Sequence, residues 1–413
     1  MYDIIVAGGG FAGAAAALAA ARMGKKVLIF DRGNAFGGAA SECLVMPFMP
    51  FFTKVGDKKD YLSRGIFAEI CAELKKMDAL KDDRWFSEEA LKLIWNRLLL
   101  QAGAEILFHA SLARVKAKDG EVQSVTVLQK EGLTEYEAKM FIDATGDADL
   151  CYLASFPFRL GREEDSLCQP MTLCFRTAGV DEEKWKEEKP ALQALYKEAL
   201  QRGEFRNPRE NILSFLTLTR GMVHFNTTRV VKKNPTSSRD ITLAEIEARE
   251  QVFEVFAFLK KNASSFRNAT LISTAARIGV RESRMIDGEY VLTGEDLIAC
   301  KKFDDGIAAA NYDIDIHNPE GTGTSHHYFE PGTYYTIPYR TLIPKGSRNL
   351  LTCGRCISVT HEAQASIRIM PICCCTGEAA GTAAALALET GDVRKVSAEK
   401  LRGVLREHGQ RVD

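Results

Sequence analysis

Ile4-Ile5-Val6-Ala7-Gly8-Gly9-Gly10-Phe11-Ala12-Gly13 runs into an alanine-rich stretch that ends at Met23, and Lys26-Val27-Leu28-Ile29-Phe30-Asp31 follows. Ile4 to Val6 is a short apolar run without polar alternation, which reads as a strand buried on both faces. Gly8, Gly10 and Gly13 fit G-x-G-x-x-G at a strand-to-helix turn. The first glycine of that pattern permits the tight turn. The second lets a pyrophosphate reach the backbone, and the third lets helix and sheet pack closely. Ala14 to Ala21 continues the helix with small side chains, so its free N–H groups and dipole face the phosphates. Val27 to Phe30 reads as a second buried strand. Asp31 ends it, where a carboxylate accepts from a ribose hydroxyl. The plainer alternative, an alanine-rich core helix after a glycine turn, leaves that acid without a reason.

The chain has 413 residues, room for two domains or one large domain with an insertion. With 46% apolar and 26% charged residues it has the balance of a globular protein. A net charge of −1 gives no electrostatic footprint for nucleic acid. Outside the Ala/Gly segment, which the dinucleotide turn explains, no apolar stretch has the length of a membrane span. The first strand begins at Asp3 and leaves no room for a signal peptide. Eleven cysteines, an odd number with Cys373, Cys374 and Cys375 adjacent, do not make the disulfide framework of a small secreted chain. A cytoplasmic location is the expectation.

Downstream of Arg32, Gly37-Gly38-Ala39 forms a second glycine turn, which a dinucleotide fold places beside the far half of its cofactor. Tyr61 to Met77 and Ser87 to Ala102 have helical spacing, and Gly103 stops the second. Ala104 to Phe108 reads as a strand. Leu112 to Ala117 and Glu121 to Gln129 flank Asp119-Gly120, a hairpin signal. Met140 to Asp143 is another buried strand, ending in Ala144-Thr145-Gly146-Asp147. Between about 156 and 340, strand-like stretches (Met171 to Thr177, Gly221 to Val231) alternate with helical ones (Glu182 to Gln201, Thr242 to Asn262). No second phosphate loop occurs there, so this part reads as facing the substrate. Asn349 to Thr352 is a return strand, and Thr376 to Thr390 a helix whose Gly377 and Gly381 allow close packing. The expected architecture is α/β. A Rossmann-type FAD/NAD(P)-binding domain comes from residues 1–155 and 340–413, with an α+β substrate domain inserted over 156–339.

Gly8 to Asp31 and Ala144 to Asp147 resemble the two FAD-binding signatures of glutathione-reductase-type flavoproteins. Ile278-Gly279-Val280-Arg281-Glu282 resembles the bacterial FAD-dependent oxidoreductase family, distant relatives of the fumarate-reductase flavoproteins. So does Tyr339 to Pro371, with Gly354-Arg355-Cys356, His361-Glu362-Ala363 and Arg368-Ile369-Met370-Pro371. The resemblance covers most of the chain and implies FAD as cofactor. It implies that Gly8, Gly10 and Gly13, with Phe11 and Ala12 between them, carry the pyrophosphate. Asp31, beside Arg32, takes the adenosine ribose. Gly37, Gly38 and Ala39 face the ribityl side, and Leu112 meets adenine through its backbone. Ala144-Thr145-Gly146-Asp147 closes over the pyrophosphate, and Gly354-Arg355 over the ribityl chain. The helix after Pro371 points its N-terminus at the flavin N1/C2 carbonyl. Two departures stand out: the ribose acid is more often Glu than Asp, and the Cys373 to Cys375 run is foreign to the pattern.

Hydride chemistry belongs to the flavin, and the protein supplies orientation, charge and a proton. A proton carrier working near neutral pH favours histidine. His361 and Arg368 fall in the segment expected to face the flavin, and His327, after His326, precedes the return strand. Arg281 is a bidentate holder for a substrate carboxylate. Plainer roles compete: His361 capping a turn, Arg368 paired with Glu362, the His326-His327 pair in a surface loop, Arg281 paired with Glu282 or Asp287. Cys43 sits among apolar neighbours and reads as structural. Cys353-Gly-Arg-Cys356 overlaps the flavin turn, so no metal site is expected. The reaction expected is hydride transfer between flavin N5 and a small polar organic substrate, with an unidentified electron donor or acceptor. Flavin monooxygenase or halogenase-like chemistry, and a non-turnover flavin-binding subunit of a redox complex, are the alternatives. No nucleic-acid or membrane partner is expected.

Overall fold

A computed structural model describes residues 1–413. Its core is a seven-stranded sheet. Five strands run parallel in the order Glu105–Leu107, Val27–Phe30, Tyr2–Ala7, Gly132–Asp143, Leu350–Thr352. Val27–Phe30 is buried along its whole length, and so are Ile4 to Ala7 of Tyr2–Ala7. This is why their sequences are continuous apolar runs rather than alternating ones. The long strand Gly132–Asp143 does two jobs. Its second half pairs with Tyr2–Ala7, and its first half continues into an antiparallel meander with Glu121–Gln129 and Ser111–Lys118. Asp119, at φ 52°, and Gly120, at φ 77°, make the turn between the last two, as the Asp-Gly signal required.

Two helices, Phe11–Arg22, buried except for Arg22, and fully buried Met370–Ala387, lie against each other on this sheet. A Cβ on Gly377 would sit 2.0 Å from the Ala12 carbonyl oxygen, and one on Gly381 would sit 2.1 Å from that of Ala16. Only glycine admits so close an approach. The second helix starts six residues earlier than the expected Thr376. Ile369 is its N-cap and Pro371 lies in its first turn. Cys373, Cys374 and Cys375 are therefore helical and pack as small apolar side chains. The helix expected from Tyr61 begins at Ile66, because Gly65 at φ 56° breaks the run and Lys58–Tyr61 is a strand.

A second, antiparallel sheet has the order Ser214–Leu216, Val223–Phe225, Phe175–Ala178, Thr270–Thr274. The strands expected over Met171–Thr177 and Gly221–Val231 are shorter than their apolar patterns. Met171 and Thr172 make only isolated bridges, to Val230 and Gly279. Helices Glu182–Gln201 and Ser238–Asn262 cover one face of this sheet, where Met171, Leu173, Phe175, Val223 and Phe225 join Trp185, Tyr196 and Val252 in one core. Alternation sends Thr172, Cys174 and Asn226 to the opposite face, which roofs a cavity above the parallel strands. No single helix is long and apolar enough to cross a membrane.

Candidate functional site

The cavity encloses about 690 Å³. Its floor is made by the turns at the ends of the parallel strands, where ligands of open α/β sheets bind. Gly8 stands at φ 102°, and a Cβ there would lie 2.5 Å from the Ala144 carbonyl oxygen. Gly13 is closer still: its Cβ would fall 1.9 Å from the Gly8 oxygen. Asp31 accepts from the Gly9 and Gly33 N–H groups, each at 2.6 Å. Two such bonds leave lone pairs on the carboxylate for a hydroxyl in the cavity. Gly37 N–H donates to the Gly9 oxygen at 2.9 Å and ties the second glycine turn to the first.

Asp147 accepts from Arg355 at 2.8 Å and from the Ser283 hydroxyl at 2.6 Å. Burial works against its charge, but Arg355 and Ser283 hold its carboxyl below the usual range. Asp143, fully buried one turn earlier, accepts from Thr145 N, Thr145 Oγ1 and Cys151 N, and so shapes the Ala144–Asp147 turn.

Two helix ends open into this half. Phe11–Arg22 and Met370–Ala387 begin at Gly10 and Ile369 with no side-chain cap and no acidic residue in the first turn. Helices beginning after Ser87, Asp181, Ser237, Thr360 and Ser397 are all side-chain capped. Phe11, Ala12, Met370 and Cys373 line the cavity, so the free N–H groups and positive ends of both helices face it. This donor set fits a dinucleotide pyrophosphate at the first helix and an electron-rich ring at the second.

The other half of the cavity is polar and cationic. Asp315 is its hub: Arg368 Nη2 lies at 3.3 Å, His317 Nε2 at 3.5 Å, His326 Nε2 at 3.6 Å, and the Tyr312 hydroxyl donates at 3.1 Å. Burial opposes the Asp315 charge, yet His317, Arg368 and His326 hold it well below the carboxylate range. Arg229 donates to His317 Nδ1 at 3.1 Å. A guanidinium has no acceptor, so the His317 proton rests on Nε2, toward Asp315. Burial and the Arg281 charge push His317 far below its ordinary pKa and keep it neutral. His326 is different: its side chain is one-third exposed and stacks on Tyr328.

The structure brings most of the expected residues together. Gly8, Gly10, Phe11, Ala12, Asp31, Arg32, Gly37, Gly38, Ala39, Ala144, Thr145, Gly146, Asp147, Gly354 and Arg355 all line the cavity, as do Arg281 and Arg368. Gly13 serves the turn from behind, Pro371 is buried inside its helix, and Leu112 pairs with Val127 away from the cavity. His361 and His327 need correction. His361 turns from the cavity and pairs with buried Glu282 at 2.7 Å, and His327 packs its ring on Phe329 while its neighbour His326 reaches the site. The alternation of Thr324–His327 decides which of the two histidines points inward. Arg368 pairs with Asp315, not Glu362, and Arg281 pairs with neither Glu282 nor Asp287. Cys43 Sγ faces the Ile278 carbonyl at 3.7 Å, and burial pushes its thiol up to about 12, an inert state. Cys353 and Cys356 are likewise buried free thiols raised well above the usual range by burial. Arg209, Asn226, Asp315 and His317 were not foreseen. The alternation Met171-Thr172-Leu173-Cys174-Phe175 was a signal for the cavity face beside Asn226, while Arg209, Asp315 and His317 come from other segments.

Comparison with solved structures returns matches of low identity and low TM-score. A geranylgeranyl bacteriochlorophyll reductase-like protein from Thermoplasma acidophilum is 14% identical, with 100% of this chain and 84% of that one covered and a TM-score of 0.49. A flavin-dependent brominase is 11% identical over 98% of this chain and 83% of its own, also at TM-score 0.49. The myxobacterial chondrochloren halogenase is 13% identical over 98% and 79%, at TM-score 0.46. No curated protein matches. The family model described as FAD dependent oxidoreductase matches residues 3–405. The chain belongs to the FAD-dependent oxidoreductase family, and its cofactor is FAD.

Proposed function

We propose that this protein exchanges a hydride between its flavin and a small polar organic substrate held at the cationic end of the cavity. One observation carries the reading: a single cavity joins the glycine turns and two uncapped helix ends to Arg281, Arg368, Asp315 and His326. Residues 1–155 and 340–413 serve the cofactor in this reading, and residues 156–339 face the substrate.

Bound FAD supplies two-electron hydride chemistry. The chain's own residues divide the remaining work. Gly8, Gly10 and the first-turn N–H groups after them neutralise phosphate charge. The positive end of Met370–Ala387 favours negative charge placed beside Ile369 and Met370. Arg281 and Arg368 orient the substrate. His326, in reach of both cavity and solvent and 3.6 Å from Asp315, carries the proton that accompanies the hydride. His317, locked neutral between Arg229 and Asp315, positions the carboxylate and moves no proton.

The test is anaerobic bleaching of the flavin by a substrate panel, followed by His326→Ala and His361→Ala. His326→Ala should lower the rate of flavin reduction about 100-fold or more with FAD content intact. His361→Ala should leave the rate per folded molecule nearly unchanged. Oxygen uptake with insertion of oxygen into the substrate would overturn hydride exchange in favour of a monooxygenase.

A further inference from the structure

Two guanidinium groups in the cavity make no contact ion pair. Arg281 donates to the Pro170 carbonyl at 2.7 Å and to the Thr172 hydroxyl at 2.6 Å, with Asn226 Oδ1 at 3.4 Å. Each of these acceptors is neutral. They fix the plane of the guanidinium and leave its charge uncompensated. Arg209 is 5% exposed, its Nε donates to the Asn211 side chain at 3.1 Å, and its Nη1 has no partner. A buried donor without a partner is uncommon in a folded protein.

The nearby carboxylates are already committed. Asp315 serves Arg368, His317, His326 and Tyr312, and Glu210 lies 3.4 Å from Arg229. Asp313, also on the cavity wall, is pushed toward its neutral form, first by burial. Burial and the charges of Arg368, Arg209 and Arg229 push Arg281 down to about 9, so it remains a cation at neutral pH. A cavity that keeps two cations unpaired is built to receive negative charge. Leu213 and Phe215 line the wall next to Asn211, which suits a charged group attached to a carbon frame rather than a bare inorganic anion.

We infer that the substrate, in the reading proposed above, is an organic carboxylate whose carboxylate is held by Arg281 and Arg209 while Arg368 stays with Asp315. The guanidinium fork matches a carboxylate with two parallel N–H···O bonds. Arg281 gives this grip its direction through Thr172 and Pro170. Arg209, on the same cavity wall, adds a second positive charge.

The experiment titrates the FAD-loaded protein with matched pairs, benzoate against benzamide and succinate against succinamide, and with inorganic phosphate. Binding is read from the flavin visible spectrum and by calorimetry. At least one acid should bind about tenfold or more tighter than its amide, and tighter than phosphate. Arg281→Gln should weaken that acid about 30-fold or more, far more than it weakens the amide, with FAD content unchanged. Arg209→Gln should act in the same direction. Arg281→Lys keeps the charge and loses the fork, so it should bind about tenfold more weakly and guards against a variant that fails to fold. Equal binding of acid and amide in both pairs, phosphate binding as tight as the tighter acid, no binding by any acid, or acid binding indifferent to Arg281 overturns the inference. Failure of every donor to reduce the bound flavin overturns hydride exchange instead, and the acid–amide contrast is measured without it.

Discussion

His361 Nδ1 lies 2.7 Å from Glu282 Oε1, and Glu282 Oε2 accepts from the Gln169 N–H at 2.8 Å. The pair is a buried strut between the Arg281–Ser283 segment and the His361–Ile367 helix, behind the cavity wall. Burial disfavours the imidazolium, but the hydrogen bond and charge of Glu282 outweigh it and raise His361 above its ordinary pKa. A raised histidine contributes stability that is fully present below about pH 6.5 and is lost as pH climbs through the folded value. His361→Ala should therefore cost about 3 kcal/mol in mildly acid buffer. Its deficit against the parent should shrink as the medium turns alkaline. Urea melts at several pH values measure this. A deficit that grows with pH contradicts the assignment.

Glu378 is raised by burial rather than by a charged partner. It is 1% exposed in the middle of Met370–Ala387, and it accepts from the Ile66 N–H at 2.9 Å, the start of the Ile66–Lys76 helix. Burial raises its carboxyl to about 7, against the pull of that N–H. The folded protein thus holds a proton that the unfolded chain has released, and stability falls between about pH 4.5 and pH 7. Glu378→Gln keeps an acceptor for Ile66 and removes the charge. It should stabilise the protein at pH 8 by up to about 3 kcal/mol and flatten the pH dependence. Thermal melts of both proteins at pH 5 and pH 8 compare the two slopes directly.

Asp31 ties the first glycine turn to its own bend at Gly33, through Gly9 N–H and Gly33 N–H. Asp31→Ala should weaken FAD binding by about 10- to 100-fold, most of it as faster release. Fluorescence titration of the apoprotein with FAD reads the loss. Unchanged affinity would remove Asp31 from the cofactor site.

Gly377 and Gly403 offer a matched contrast inside helices. A Cβ at Gly377 meets the Ala12 backbone at 2.0 Å, while one at Gly403 meets nothing within 4 Å. Gly377→Ala should destabilise by about 2–4 kcal/mol and impair FAD retention, since it forces the two cavity-facing helices apart. Gly403→Ala, in Ala398–Glu407, should stabilise by about 0.5–1 kcal/mol. Equal effects at the two sites would mean that the helices yield without cost.

The cofactor half was legible because its chemistry is local. Strand, glycine turn, helix and acid follow one another within Tyr2 to Asp31, and backbone needs alone dictate glycine at Gly8 and Gly13. The Glu182–Gln201 helix was equally plain, with Asp181 as its cap. The cationic half of the cavity resisted because no short stretch contains it. Arg209, Arg281, Asp315, His326 and Arg368 come from separate segments, and only the packing of the second sheet over the first turns them toward one space. His361 misled for a related reason. Nearness in sequence to a cofactor turn does not fix direction, and one step along a helix or strand exchanges cavity for core. Asp31, by contrast, is held by backbone rather than by tertiary accident, so its position could be read directly.

The contact of Ala12 and Ala16 with Gly377 and Gly381 also sets an order of events during synthesis. Chains emerge from the ribosome N-terminal part first. The first glycine turn is made almost at once, yet the helix that closes on it emerges more than three hundred and fifty residues later. Until then the small-residue face of Phe11–Arg22 has no partner, and the second positive helix end does not exist. A nascent chain thus has the pyrophosphate signature long before it has a flavin site. A site with both positive helix ends needs Met370–Ala387 in place, so flavin retention should report on whether that helix has closed on Phe11–Arg22.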